Sequence, residues 1–374
     1  MKGSMMRAMR NAWRLIGRSK SLRALSIFHA RGRGLGFFEM PSVAKKRRAP
    51  RAKHGPSRKP KAADSGGRSL GTFTEASYTN RAGTRRYKLF VPAAADHASK
   101  LPLLIMLHGC SQNPDDFAVA TRMNKFAADY QCLVAYPEQA WSANGSRCWN
   151  WFRASDQQRD QGEPAIIAGI TRDLIKTYDL DATRVYIAGL SAGGAMAAVM
   201  GRTYPELYAA VGVHSGLPYA AATDAMSAFA AMKGVPTFRS PTATAIPHVV
   251  PTIIVHGDRD KTVHHSNGQR LARQYLVNAD SIMPGGSDGG EAVRSHRRGE
   301  RPYTHTTYRD DTGEAIVEYW LVHGGGHAWF GGDSNGSHTD PKGPDASQEM
   351  MRFFSEHHLE IQQAPSVTEA LSAG

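Results

Sequence analysis

The 374-residue sequence is 41% hydrophobic, enough to bury a sizeable core, and no stretch approaches the roughly 18 apolar residues of a membrane span. The net charge of +13 is unevenly placed: residues 1–70 hold 19 Lys or Arg against only Glu39 and Asp64, a balance of +17 that leaves −4 for the remainder. A basic nucleic-acid groove in a folded domain is therefore not expected, and Cys110, Cys132 and Cys148 are too few for a disulfide framework and lack zinc-site spacing.

Residues 1–70 form a basic leader and linker. Met6, Met9, Trp13 and Ile16 recur at helical spacing with Arg7, Arg10, Arg14 and Arg18 between them. That pattern suits an anionic membrane or granule surface, and equally a solvated, poorly ordered leader. The run KKRRAPRAKHGPSRKPK at 45–61 holds almost nothing to bury, so a disordered linker is expected. Without interleaved aromatic residues it gives no reason to expect nucleic acid as a partner. An uninterrupted apolar h-region of about 7–15 residues is missing, so an ordinary cleaved secretion signal is not expected.

From residue 71 short apolar runs alternate with helical patterns. Strands are expected at 87–91 and 103–107, a helix at 117–130, a strand at 132–136, and a helix at 164–178. A buried strand at 185–188 leads into a small-residue helix at 192–203. Strands at 209–213 and 252–256, a helix at 266–277, a strand at 316–322 and a helix at 346–357 complete the series. This alternation implies a single α/β domain over 71–360, with a mainly parallel sheet covered by helices on both faces. Residues 138–162 and 284–301 break the pattern and are expected to be loops shaping a site, and 361–374 a flexible tail.

The pentapeptide Gly189-Leu190-Ser191-Ala192-Gly193 stands where a strand turns into a helix. A nucleophilic serine needs that sharp turn, and the flanking glycines let strand and helix approach without a Cβ clash. Ser191 is thus the expected nucleophile of an α/β-hydrolase. A serine hydroxyl attacks only when a base takes its proton and a carboxylate orients the base. In this fold acid and base follow the serine in that order. Asp258 and Asp260 both follow the strand at 252–256; turn chemistry favours Asp260 as the acid, with Asp258 bonding its own turn. Among 16 histidines, His327 follows the last strand and three glycines and is the expected base, with His323, His305 and His338 as competitors. An oxyanion hole needs two converging N–H groups, expected from Ala192 and from Cys110 in the loop after the 103–107 strand. His108 either supports that charge or is a satisfied structural histidine.

Taken together, LHGC at 107–110, CWNWF at 148–152, GLSAGGAMAA at 189–198, HGDRDKTV at 256–263 and GGGHAWFGG at 324–332 resemble the poly(3-hydroxybutyrate) depolymerase family of esterases, to which feruloyl and acetylxylan esterases are related. The resemblance covers about 71–358. It implies the α/β-hydrolase fold, Ser191, Asp260 and His327 as the catalytic set, and His108 as the oxyanion histidine. It also implies a polyester, oligomer or aryl ester as substrate, with no metal or organic cofactor. Family members that act on polymer are commonly secreted, whereas the leader shows no ordinary signal, so extracellular and cytoplasmic locations both stay open. Three aromatic rings within five residues of a loop form either a binding wall or a core plug. Loop position favours the wall, built from Trp149, Trp151 and Phe152 and faced by Trp329. A Cys110–Cys148 bridge would anchor this loop beside the oxyanion strand; under reducing conditions both would be buried thiols.

Overall fold

The apolar runs that alternate along the chain become a sheet buried on both sides. The computed structural model describes residues 70–93, 99–236, 250–276, 290–295 and 299–360. The basic leader, the 45–61 linker and the 361–374 tail lie outside the described residues. Strands β3 (Leu103–Leu107), β4 (Leu133–Pro137), β5 (Val185–Leu190), β6 (Ala210–His214), β7 (Thr252–Gly257) and β10 (Ala315–Val322) form the parallel centre, in the order β4-β3-β5-β6-β7-β10. The first five are buried at every position, because helices cover both faces of the sheet. Leu103, Ile105 and Leu107 point into one core layer, whereas Leu104 and Met106 point into the other.

Helices α3 (Gly162–Thr177), α4 (Ala192–Thr203) and α6 (Ser266–Leu276) pack on the first layer. Helices α1 (Pro114–Thr121), α2 (Met123–Asp129) and α7 (Ala346–Ser355) pack on the second. This arrangement is the α/β-hydrolase fold. Every parallel crossover leaves its loop at the same, C-terminal edge of the sheet, which is where ligand sites form in open parallel sheets.

The edges depart from the sequence expectation. Antiparallel β1 (Gly71–Asn80) and β2 (Gly83–Pro92) form a hairpin that extends the sheet beyond β4. On the far side β9 (Tyr303–Arg309) and β8 (Glu291–Ser295) continue it antiparallel beyond β10. Strand β8 falls inside the segment expected to be loop, 284–301. Strand β2 contains the strand expected at 87–91, whereas β1, β8 and β9 are largely half-buried or exposed and carry no apolar run to reveal them. The helix expected at 117–130 is two helices. Pro114 and an Asn113 side chain accepting the Asp116 N–H start α1 earlier, and Arg122 at φ 56° breaks the run. The Arg122 side chain is held in that break by Asp345 and, at 2.6 Å, by the Gly331 carbonyl. A short helix α5 (Ala225–Met232), started by an Asp224–Ser227 capping box, was not expected either.

Candidate active site

Ser191 follows β5 directly, with φ 59° and ψ −117°, a backbone conformation that non-glycine residues rarely hold. Its N–H donates to the His214 carbonyl at 2.8 Å, which fixes the turn against the end of β6. The glycines on either side are required by backbone contact. A Cβ on Gly193 would lie 2.0 Å from the Leu107 carbonyl oxygen, and one on Gly189 2.4 Å from the Gly193 carbonyl carbon. Alanine usually gains about 1 kcal/mol over glycine inside a helix. Gly193→Ala is expected to do the opposite, losing about 3 kcal/mol or more because the clash is with main chain that cannot rotate away. Urea unfolding would check this, and an unchanged or higher midpoint would contradict it.

The loop after β3 wraps over the start of α4. His108 is 1% exposed, and both ring nitrogens are engaged by main chain: Nδ1–H donates to Gly109 O at 2.8 Å, and Nε2 accepts the Gln139 N–H at 3.1 Å. Burial, opposed by the Gly109 bond, brings its pKa down to about 4, so the ring is neutral in this tautomer. No ring donor is left for a substrate oxygen, and both nitrogens brace the loop, which fits the structural alternative for His108. Gln112 braces the same loop, accepting the Gly109 N–H at 2.9 Å and donating to Asp116 at 3.1 Å and the Ser337 carbonyl at 3.2 Å. Among the described residues, the N–H groups of Cys110 and Ala192 donate to no protein acceptor. They remain available where the loop after β3 and the first turn of α4 meet.

Cys110 is joined to Cys148 by a disulfide with a Cα–Cα distance of 4.2 Å. The bridge closes a loop of 38 residues. By chain entropy such a loop stabilises the fold by about 4 kcal/mol. The Cys110→Ser/Cys148→Ser double variant is expected to lose about that much in denaturant unfolding, and a loss below about 1 kcal/mol would contradict this role.

Residues 148–152 are pinned inward by a buried carboxylate. Glu163 accepts the Asn150 N–H at 2.8 Å, Asn150 Nδ2 at 2.6 Å and Gln139 Nε2 at 2.5 Å, with Arg85 at 3.5 Å. Trp149 is consequently fully buried, 5.8 Å from the His108 ring, and Trp151 is 5% exposed. Trp329 and Phe330 are also fully buried. The expected aromatic wall is thus a core plug at Trp149, Trp151 and Trp329, none of which offers surface to a substrate. Phe152 is half-buried against Trp151.

The two acids after β7 meet different histidines. Asp260 is 5% exposed; its Oδ1 accepts the N–H groups of Thr262 and Val263 at 2.8 and 2.9 Å, and its Oδ2 accepts His327 Nδ1–H at 2.6 Å. Burial pushes the Asp260 carboxyl up. The hydrogen bond and charge of His327, then His256 and the Val263 N–H, more than offset it and hold the group below the usual carboxylate range. With a folded pKa below the unfolded one, this carboxylate adds stability above the ordinary value and loses it as pH falls through the lower folded one. Asp258 does not serve its own turn as expected. It accepts from His323 Nδ1 at 3.1 Å and the Gly324 N–H at 2.7 Å, and so ties down the glycine loop that carries His327.

That loop crosses the acid's turn closely: a Cβ on Gly257 would lie 2.4 Å from the Gly325 carbonyl. Donating through Nδ1 leaves the Nε2 lone pair of His327 free, the state a general base needs. Among the described residues no hydrogen bond yet links Ser191 Oγ to His327. His305 pairs with Glu318 at 3.1 Å and stacks on Trp320, away from this arrangement. His338 passes its carbonyl to the Trp329 N–H at 2.6 Å.

A strained serine turn, two free N–H groups and a buried carboxylate–imidazole pair thus occupy the loops of one sheet edge. The family model described as Esterase PHB depolymerase matches residues 85–297. The chain belongs to this family of esterases. The matched segment includes Ser191 and Asp260 and ends before His327, whose place rests on its contact with Asp260. The family's relatives include poly(3-hydroxyalkanoate) depolymerase C of Paucimonas lemoignei, 30% identical over 255 residues, which are 64% of this chain and 58% of that protein. Feruloyl esterase B of Neurospora crassa is 33% identical over 132 residues, 35% of this chain and 44% of that one. The chain therefore spans less than two thirds of the length of these curated relatives. Acetyl xylan esterase from Aspergillus awamori shares the fold with a TM-score of 0.59 at 18% identity, covering 76% of this chain and 99% of that one.

His214 and the Gln112–Asp116–Ser337 and Glu163 networks are not legible in the sequence. Their partners are 116, 225 and 13–78 residues away in sequence, and no local spacing marks them.

Proposed function

We propose that this family member is a serine carboxylic-ester hydrolase that works through an acyl-enzyme, with poly(3-hydroxybutyrate) or its oligomers as substrate. The observation that carries the reading is the 2.6 Å bond from His327 Nδ1–H to buried Asp260, at the sheet edge where Ser191 sits in its strained turn. In the first step His327 Nε2 takes the Ser191 proton as Oγ attacks the ester carbonyl. The imidazolium so formed is stabilised by the Asp260 charge, and the oxyanion by the Cys110 and Ala192 N–H groups. His327 then returns the proton to the leaving alcohol. Water, deprotonated by the same imidazole, attacks the acyl-enzyme and releases the acid.

The relatives' names, a polyhydroxyalkanoate depolymerase and a feruloyl esterase, support carboxylic-ester hydrolysis, and the first of them favours a polyester substrate. Hydrolysis of 3-hydroxybutyrate oligomers, p-nitrophenyl butyrate and methyl ferulate by the full chain tests it. The expected result is the highest kcat/KM on the hydroxybutyrate oligomers. A higher kcat/KM on methyl ferulate would replace the substrate with an aryl ester. Preferential transfer of the acyl group to an added alcohol would replace the hydrolase with an acyltransferase. The basic leader is proposed to dock on an anionic membrane or granule surface, and deletion of residues 1–70 is expected to abolish vesicle binding while leaving p-nitrophenyl butyrate hydrolysis intact.

A further inference from the structure

His214 was not among the histidines that chain order singled out, because it ends a buried strand. It is fully buried, and its carbonyl and both ring nitrogens have polar partners. Its carbonyl accepts the Ser191 N–H at 2.8 Å. Its Nε2 accepts the Phe330 N–H at 3.1 Å, so the ring proton lies on Nδ1, which faces Ser215 Oγ at 3.2 Å. Ser215 in turn donates its N–H to Val255 O on β7 at 2.8 Å. The imidazole stacks on Trp329 with centroids 4.8 Å apart and lies 5.0 Å from the Phe330 ring. Trp329 itself is anchored from the other side through Ser347 Oγ at 3.0 Å.

We propose that His214 is a positioning residue that joins the nucleophile's turn to the base's loop, its main chain fixing Ser191 and its ring fixing Phe330, three residues after His327. The proposal rests on the serine-esterase reading above. Asp260 sets the orientation of the His327 ring about one bond, but the main chain of its loop must also be held at the correct distance from Ser191. The glycines at 324–326 supply little stiffness of their own. The Phe330 N–H bond is the direct link from that loop to the strand beside the serine turn. Burial, with help from His256 and His327, lowers the His214 pKa well below its ordinary value. Nε2 thereby stays an acceptor at neutral pH.

His214→Phe keeps an aromatic ring for Trp329 but removes the acceptor. His214→Gln can replace it, since a glutamine carbonyl reaches about as far as Nε2. Each is measured against wild type for p-nitrophenyl butyrate kcat and KM, for the rate of labelling by a fluorophosphonate, and for thermal midpoint. His214→Phe is expected to lower kcat and the labelling rate together by about 10²-fold with KM within about twofold, the cost of a displaced base. His214→Gln is expected to recover most of that loss. Wild-type kcat and labelling in His214→Phe would overturn the proposal. So would an equal loss in both variants that followed their thermal midpoints, which is what packing alone would give. Wild-type enzyme labelled at a residue other than Ser191 would instead overturn the underlying serine reading.

Discussion

Ser191→Ala is expected to lower kcat on p-nitrophenyl butyrate by about 10⁶-fold, with KM little changed. Removing Oγ removes the covalent route, and the neighbouring groups cannot replace it. His327 could still activate a water, and the Cys110 and Ala192 N–H groups would still stabilise an oxyanion. That residue of catalysis is worth about 10³–10⁴ over the uncatalysed reaction. The fold should tolerate the change, since Ser191 is held through its main-chain N–H, which alanine keeps. A Ser191→Ala variant with kcat within about tenfold of wild type would exclude this residue as nucleophile.

Asp260→Asn is expected to lower kcat by about 10⁴-fold without unfolding the chain. Asparagine retains an oxygen that can accept the Thr262 and Val263 N–H groups, as the carboxylate's Oδ1 does in the native chain. At the second position an acceptor becomes an NH₂ donor. His327 Nδ1 must then accept, which moves its ring proton to Nε2 and leaves the side facing the serine unable to act as a base. Loss of the negative charge also removes what stabilises the imidazolium. Asp258→Asn provides the contrast: its partners are His323 and the Gly324 N–H, so it should affect activity only through the loop. Equal losses in the two variants would contradict the assignment of Asp260 as the orienting acid.

The parts of this molecule legible in its sequence are those determined locally. Apolar runs such as Leu103–Leu107 and Thr252–Gly257 can only be strands covered on both faces, and the Gly-x-Ser-x-Gly turn between β5 and α4 announces its own geometry. Strands β1, β8 and β9 are not legible, because a half-exposed strand such as Tyr303–Arg309 takes polar residues at most positions. The burial of Trp149 and Trp329 is not legible locally, because exposure of an aromatic loop is decided by distant partners. Glu163 draws the first loop inward, and the His214 and Phe117 rings enclose Trp329. His108 lies where an oxyanion group was expected, yet its two nitrogens are both spent on main chain, one of them on Gln139, 31 residues away.

Peptide mapping after reaction with a fluorophosphonate tests the central claim most directly. An organophosphonate stays on a serine only where a base activates Oγ and an oxyanion hole receives the phosphoryl oxygen, so the adduct reports the whole arrangement at once. The wild-type chain is expected to carry one adduct, on Ser191, and both Asp260→Asn and His327→Gln are expected to acquire it far more slowly. An adduct on another residue, or undiminished labelling of Ser191 in both variants, would contradict the account.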